Sequence, residues 1–429
     1  MKKKQKDIIT VVDIGTTKVC TVIAEKKISE EGEVNFIVKG FGLTASEGMV
    51  RSAVVEMNKA STSIDKSIKA AEKMAQINAA NIYIGIAGDH IRSGNFKGEI
   101  NLSATAQGAK KKITQEDIDL VINDAKKTAG YQPDFANLKI IHAIPHYFNT
   151  DNGRGIPNPL GMEASSLFTK VHIVFANEAN VNNILSCFKI SGYNVNPENI
   201  VLEPIASSYA VLNEDQKELG AIMIDIGGGT TDVAIYYRKS IRFSAVFPFG
   251  GYELTRKLSG RIVASPSTTE ILKIKMGQAT IANIDPNEDI EVADITGNHT
   301  KLYNRQQFAN DIIAEMSRLI KKIYHHISQG IAIESIKAGI YLTGGAANLK
   351  GLDDLIMAET NMKCTICTPD LSLFQGRISS LEKPEFSTTV GIFLYVLDNQ
   401  IKKGFNSVPG EPKTNFFKRS LKIISGWFI

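Results

Sequence analysis

The chain's hydrophobic positions fall into two recurrent patterns. Short, nearly continuous apolar runs at residues 8–23, 80–87, 171–176, 221–237 and 340–343 have the length and the Val/Ile content of strands. Between them, apolar residues recur at three- and four-residue spacing. Ile64, Ile68, Ala71 and Ala75 predict a helix over 61–76, and further helices are expected over 114–129, 179–191, 305–326 and 387–397. Thr114 is the expected N-cap of the second helix, with acidic residues in its first turn. Strands alternating with helices over 429 residues predict an α/β protein of two to four compact domains.

Glycine turns interrupt the apolar runs and carry the candidate chemistry. Residues 221–237, AIMIDIGGGTTDVAIYY, read as two strands joined by a turn. Gly227, Gly228 and Gly229 let backbone N–H groups approach an anion that any Cβ would hold off, and Thr230 and Thr231 add hydroxyl donors. Asp225 ends the first strand, where a carboxylate suits a hydrated Mg²⁺ beside phosphates. A lone glycine run also serves as a plain hairpin turn, but here the pattern repeats. Residues 8–23, IITVVDIGTTKVCTVI, carry Asp13, Gly15, Thr16, Thr17 and Lys18 between apolar strands. Residues 340–351, IYLTGGAANLKG, lead into Thr343, Gly344, Gly345 and Ala346. One strand–turn–strand unit in each half of the chain predicts a duplicated domain whose halves clasp one nucleotide, with the third turn against its sugar or base.

Two DxG hairpins and a TGG turn in this order resemble the actin, Hsp70 and sugar-kinase superfamily of two-lobed ATP-binding proteins. Within it, IAGDHIRSGNFKGEI (86–100), HAIPHYF (142–148), GIPNPLGMEA (155–164), VLEPIASSYAVL (201–212) and FPFGGYELT (247–255) resemble the FtsA family of bacterial cell-division proteins. The similarity runs from residue 8 to 398 and resumes in the tail. It implies an actin/Hsp70-like α/β ATPase fold with an inserted α+β subdomain and a C-terminal amphipathic helix. The first lobe's core takes 1–87 and 170–205, and the inserted SHS2-type subdomain takes 88–169, with a role in contacts between neighbours and partners. The second lobe's core takes 206–250 and 303–400, its last helix packing back on the first lobe. Residues 251–302 form a smaller unit, 401–414 a linker and 415–429 the amphipathic helix.

The same resemblance implies roles for single residues. Asp13 and Asp225 would hold Mg²⁺ through water, while Lys18 and both hairpins hold the phosphates of ATP. Glu203, just before Pro204 at a helix start, stands where actin-like ATPases orient the attacking water, although a first-turn acid favoured by the helix dipole fits the same residue. Glu270 and Lys273, neighbours on one helix face, match residues aimed at ribose and adenine; a surface ion pair fits equally. Arg305 falls in a region resembling the groove that takes the C-terminal peptide of the tubulin-like protein FtsZ. RKLSGRIVASPSTTE departs from the family in being basic where an acidic residue is common, and 371–385 match poorly.

Charge and cysteine content narrow the classes. A net charge of +4, without clustered Lys/Arg among aromatics, argues against a nucleic-acid partner. MKKKQK is followed by no apolar run that would make it a signal peptide, and no stretch reaches the ~20 apolar residues of a membrane span. Four cysteines argue for a reducing cytoplasm, and Cys364 and Cys367 form a lone CxxC with no second pair. His142 and His146 have ligand-like spacing, but Pro145 predicts an extended segment that would not put them on one face.

The tail, NFFKRSLKIISGWFI, places Phe416, Phe417, Leu421, Ile423, Ile424, Trp427 and Phe428 on one side of a helical wheel and Lys418, Arg419 and Lys422 on the other. This is the pattern of an interfacial membrane anchor, with docking on protein as the alternative. The whole predicts an ATP-binding scaffold with at most slow hydrolysis, which self-associates at the cytoplasmic membrane face of the division septum. It would tether FtsZ there among other divisome proteins. The rivals are a soluble kinase or phosphatase of the same superfamily and another actin-like scaffold of the MreB or pilus-assembly type. An Hsp70-like chaperone would need a substrate-binding domain after the ATPase.

Overall fold

The computed structural model describes residues 7–30, 33–102, 110–295 and 299–406, with side chains through 400. Two sheets of matching topology form its frame. In the first, Ile8–Ile14, Lys18–Ile28 and Val34–Ala45 make an antiparallel meander, and Ile82–Ile86 and then Ile200–Leu202 add in parallel beyond the first strand. In the second, Ala221–Ile226, Thr231–Tyr237 and Ser240–Phe247 make the meander, and Gly339–Thr343 and Cys364–Ile366 add in the same way. Ile8–Ile14 and Ala221–Ile226 are buried along their whole length. Strands covered on both faces have no solvent side, which is why they read as unbroken apolar runs.

The expected helices form with shifted ends. They span Met57–Ala75, Gln115–Gly130, Glu178–Ile190, Arg305–Ser328 and Ser387–Asn406. Thr114 caps its helix reciprocally with Asp117, each side chain engaging the other's backbone N–H. The last helix continues nine residues beyond the expected 397, through the first part of the expected linker. The rest of the linker and the tail residues Phe416, Phe417, Lys418, Arg419, Leu421, Lys422, Ile424, Trp427 and Phe428 lie outside the described residues.

Two domain boundaries differ from expectation. Residues 170–176, assigned from sequence to the first lobe, are the later part of the strand Ser166–Asn177, which pairs with Arg92–Asn101 and Leu138–Thr150 as the middle of the insert's sheet. Its ladder with Arg92–Asn101, continuous from Ser166 to Phe175, keeps this strand in the insert. Phe374–Gly376, assigned with the second lobe, pairs in parallel with Val34–Ala45 as the outer strand of the first sheet. There Phe374 stacks with Phe36 and Phe393, and Val390, Phe393 and Leu397 of the last helix bury against Ile9, Val11 and Val22.

The insert touches both lobes, and three buried histidines mark the seam. His142 and His146 do share a face of their strand, because side chains four apart in a strand point the same way; the expectation that an extended segment would separate them is corrected. His142 Nε2 takes the Leu202 N–H (3.0 Å), and Arg242 donates to His146 Nδ1 (2.8 Å). His172 bridges Asn95 and Ser244, both at 2.9 Å. Burial pushes His142 and His146 down to about 4 and His172 to about 3, so all three stay neutral structural groups.

Candidate functional site

The paired hairpins meet tip to tip. Gly15 N–H donates to Lys18 O, and Gly227 N–H donates to Thr230 O, each at 2.9 Å, so the two turns close alike. They then face one another: a Cβ on Gly228 would lie 2.7 Å from Thr17, and one on Gly229 would lie 2.1 Å from the Thr16 hydroxyl. Gly251 and Tyr252 N–H groups donate to Gly227 and Gly228 carbonyls from the other side, at 2.9 and 2.7 Å. Gly228 and Gly229 are therefore required by the close approach of the facing threonines, whereas a Cβ on Gly227 would meet only Thr230 O, at 3.3 Å.

Between the lobes lies a cleft of about 660 Å³. Among the expected residues, Asp13, Gly15, Thr16, Thr17, Lys18, Glu203, Asp225, Gly227, Gly228, Gly229, Thr230, Glu270, Lys273, Gly344, Gly345 and Ala346 line it. Thr231 and Thr343 do not. Thr231 is fully buried and donates to Phe249 O (2.7 Å), and Thr343, also fully buried, binds Cys367 O, Pro384 O and Ser387 Oγ. A hydroxyl beside a glycine turn serves a neighbouring carbonyl as readily as a ligand, and these two hold the turns rather than face the cleft.

Carboxylates dominate the cleft floor. Asp13 and Asp225 occupy equivalent positions, one residue before the end of their strands. Thr389 Oγ1 donates to Asp13 (3.1 Å), while Ser207 Oγ (2.6 Å) and Thr388 Oγ1 (3.2 Å) donate to Asp225. Asp225 pairs across its hairpin with Asp232, a site residue the sequence reading missed. Asp232 looks like one polar position in an apolar strand, but hairpin register alone would have put it opposite Asp225. Ser207, Thr388 and Thr389 were also missed, having read only as helix residues.

Burial raises all four acids. Asp13 reaches about 6, with Lys18 and Thr389 opposing the rise; Asp225 is raised by burial alone, against its two hydroxyl donors. Burial, then mutual repulsion with neighbouring aspartates, lifts Glu203 and Asp232 well above the carboxylate range. Glu203 Oε1 and Asp232 Oδ1 are buried without a hydrogen-bond partner. Such a cluster is costly unless a cation joins it, and hard oxygen donors fit Mg²⁺. Among the described residues no three His, Cys, Asp or Glu side chains converge as a direct metal site.

The cations sit at the cleft's two ends. Lys18 Nζ donates to Glu385 O (2.6 Å) and lies 4.0 Å over the Phe386 ring, beside the hairpin tips. Lys273 pairs with Glu270 (2.8 Å) and donates to Gly251 O and Thr255 Oγ1, so the pair is built into the cleft wall. The basic helix that departs from the family pattern is neutralised internally: Lys257 and Arg261 pair with buried Glu315, and Arg261 also with Asp311 (2.6 Å). Arg305 binds Glu288 through one guanidinium nitrogen (2.6 and 2.8 Å), away from the cleft. Cys364 is buried and Cys367 half-buried, both as free thiols that burial holds protonated.

Two family models match the chain: one described as cell division protein FtsA over residues 222–391, the other as the SHS2 domain inserted in FtsA over 88–175. The chain is 30% identical to the cell division protein FtsA of Pseudomonas aeruginosa over 427 residues, covering 98% of both chains. It is 32% identical to that of Neisseria meningitidis serogroup B over 395 residues, covering 91% of this chain and 90% of the relative. Among solved structures, the PilM–PilN type IV pilus biogenesis complex superposes with a TM-score of 0.60 at 13% identity, over 90% of this chain and 97% of that one. MreB5 of Spiroplasma citri bound to ADP does so with 0.51 at 12% identity, over 94% and 100%. These likenesses show the actin-like ATPase fold.

Proposed function

The chain belongs to the FtsA family of cell-division proteins, and from that premise we propose that it is an ATP-binding, actin-like scaffold that anchors FtsZ to the cytoplasmic membrane face at the division septum. The observation that carries the nucleotide part is the floor of four buried carboxylates beneath two facing hairpins. ATP brings phosphates to the hairpin N–H groups, Thr16, Thr17, Thr230 and Lys18, and its Mg²⁺ supplies the charge that Asp13, Asp225 and Asp232 lack. Gly344, Gly345 and Ala346 border the nucleoside, and Glu270 and Lys273 face its sugar side. Glu203 serves as the acceptor that orients the attacking water.

Nucleotide held by both hairpins fixes the angle between lobes, and with it competence for self-association. The basic, aromatic tail binds lipid, reversibly for one copy and by avidity for many. Arg305 reaches the acidic FtsZ peptide only by exchanging Glu288 for a peptide carboxylate. The insert offers a surface to neighbouring copies and other divisome proteins. Among the described residues no helix is long and apolar enough to cross a membrane.

Calorimetric titration of the full chain with ATP tests the reading. Saturable binding that weakens about tenfold or more without Mg²⁺ or in Asp13→Asn is expected. Transfer of phosphoryl groups to sugars or carboxylic acids well above the hydrolysis blank would overturn it in favour of a kinase.

A further inference from the structure

Two helices begin at the nucleotide cleft and run away from it side by side. Glu203–Val211 starts with Glu203 and Ser207 at the carboxylates, and Ser387–Asn406 starts with Thr388 and Thr389 bound to Asp225 and Asp13. They pack so closely that a Cβ on Gly391 would lie 1.8 Å from Ala206 O. Their far portions, with the 368–373 loop, enclose a second cavity of about 430 Å³.

This cavity is amphipathic in a particular sense. Leu212, Leu371 and Leu394 give it apolar walls, and Tyr209 donates its hydroxyl to Asp398 (2.6 Å) at one side. Asp370, exposed, is anchored to the first helix through its N–H on Ala210 O (2.8 Å). Among the described residues the lining shows no basic side chain, and of its two carboxylates Asp398 is already engaged while Asp370 stands exposed at the rim; Lys217, behind the Tyr209 ring, is paired with Glu214. The complement is a segment with large apolar groups beside positive charge.

The chain itself has one within reach. Residues 407–429 lie outside the described part, and within them Phe416, Phe417, Lys418, Arg419 and Lys422 combine aromatic and basic groups. The helix passes Asp398 at the cavity and ends at Asn406, about 12 Å further at ~1.5 Å per residue. Residues 407–414 extend to at most about 26–29 Å, enough to turn back.

We propose that the cavity between the end of the first helix, the 394–398 part of the second and the 368–373 loop is an intramolecular dock for the aromatic, basic tail. Docked, the tail is withheld from lipid, and the dock sits on the two helices that hold the nucleotide carboxylates. Docking itself does not require the membrane reading to hold.

Trp427 is the single tryptophan of the chain, so its fluorescence reports the tail in the intact protein. Without lipid, the full chain should show blue-shifted Trp427 emission and acrylamide quenching several-fold weaker than a synthetic 414–429 peptide, independent of protein concentration. Asp370→Lys and Leu371→Lys, both at the cavity rim, should restore peptide-like quenching, with circular dichroism confirming the fold. Quenching of the wild type equal to the peptide, or protection unchanged in both variants, would overturn the dock. Vesicles containing phosphatidylglycerol, added in a separate arm, should bind the variants more tightly than the wild type; equal binding would contradict withholding. Failure of every form to bind vesicles would sink the membrane reading and leave the lipid-free quenching result to decide the dock.

Discussion

Thr16 and Gly229 face each other across the cleft with no room for a methyl group: a Cβ on Gly229 would come 2.1 Å from the Thr16 hydroxyl oxygen. Gly229 is not among the residues with positive φ, so alanine there costs space and not backbone strain. Gly229→Ala should push the hairpins apart and weaken ATP binding about tenfold, from overpacking of ~1–3 kcal/mol focused on the phosphate turn. Titration calorimetry checks this, and an unchanged affinity would show that the tips do not clasp the ligand together.

Glu203 tests positioning against structure. Its Oε1 is buried without a partner, so Glu203→Gln keeps the shape while removing the ionisable group and part of the acceptor capacity. ATP turnover should drop about 10²-fold or more with binding within about threefold of wild type. Equal loss of both would make Glu203 a structural acid of its helix.

Stability should depend on pH in two opposed windows. Asp13, Glu203 and Asp232 have raised values, so their contribution is complete below about pH 4 and is lost as pH rises through those values, about 6 for Asp13. His142, His146 and His172 have lowered values, so theirs is complete above about 6.5 and is lost as pH falls toward 4. Above about pH 6.5 only the carboxylates slope. Denaturant unfolding of the nucleotide-free protein should therefore show stability still falling as pH rises past about 6.5, where Glu203 and Asp232 with their raised values are the groups left to ionise, and Asp232→Asn should flatten the fall. A flat wild-type profile would contradict the burial assigned to these acids.

Gly391 sets the spacing of the helices that carry Ser207, Thr388 and Thr389. Its missing Cβ would meet Ala206 O at 1.8 Å, backbone that cannot rotate away. Gly391→Ala should cost about 3 kcal/mol or more and weaken Mg²⁺-dependent ATP binding in whatever folded protein remains. Thermal unfolding with and without Mg·ATP checks both effects.

The two facing glycine turns were legible because Asp, Gly and Thr at fixed offsets act through local backbone. Asp232 was hidden because its meaning comes from pairing across the hairpin with Asp225, a relation between strands. Thr231 and Thr343 misled for the converse reason: their hydroxyls are bound to Phe249 O and to the 367–387 segment, partners no local pattern announces. The three-residue strand Phe374–Gly376 is too short for periodicity, and its place beside Val34–Ala45 is set by tertiary packing of Phe36, Phe374 and Phe393.

The most direct test of the scaffold is recruitment of FtsZ to phosphatidylglycerol-containing vesicles by the full chain with Mg·ATP, read by co-flotation. The full chain should carry FtsZ to the vesicles, and both a chain ending at Lys413 and Trp427→Glu should leave it in solution. Flotation of FtsZ with all three forms, or with none while ATP is bound, would contradict the assignment.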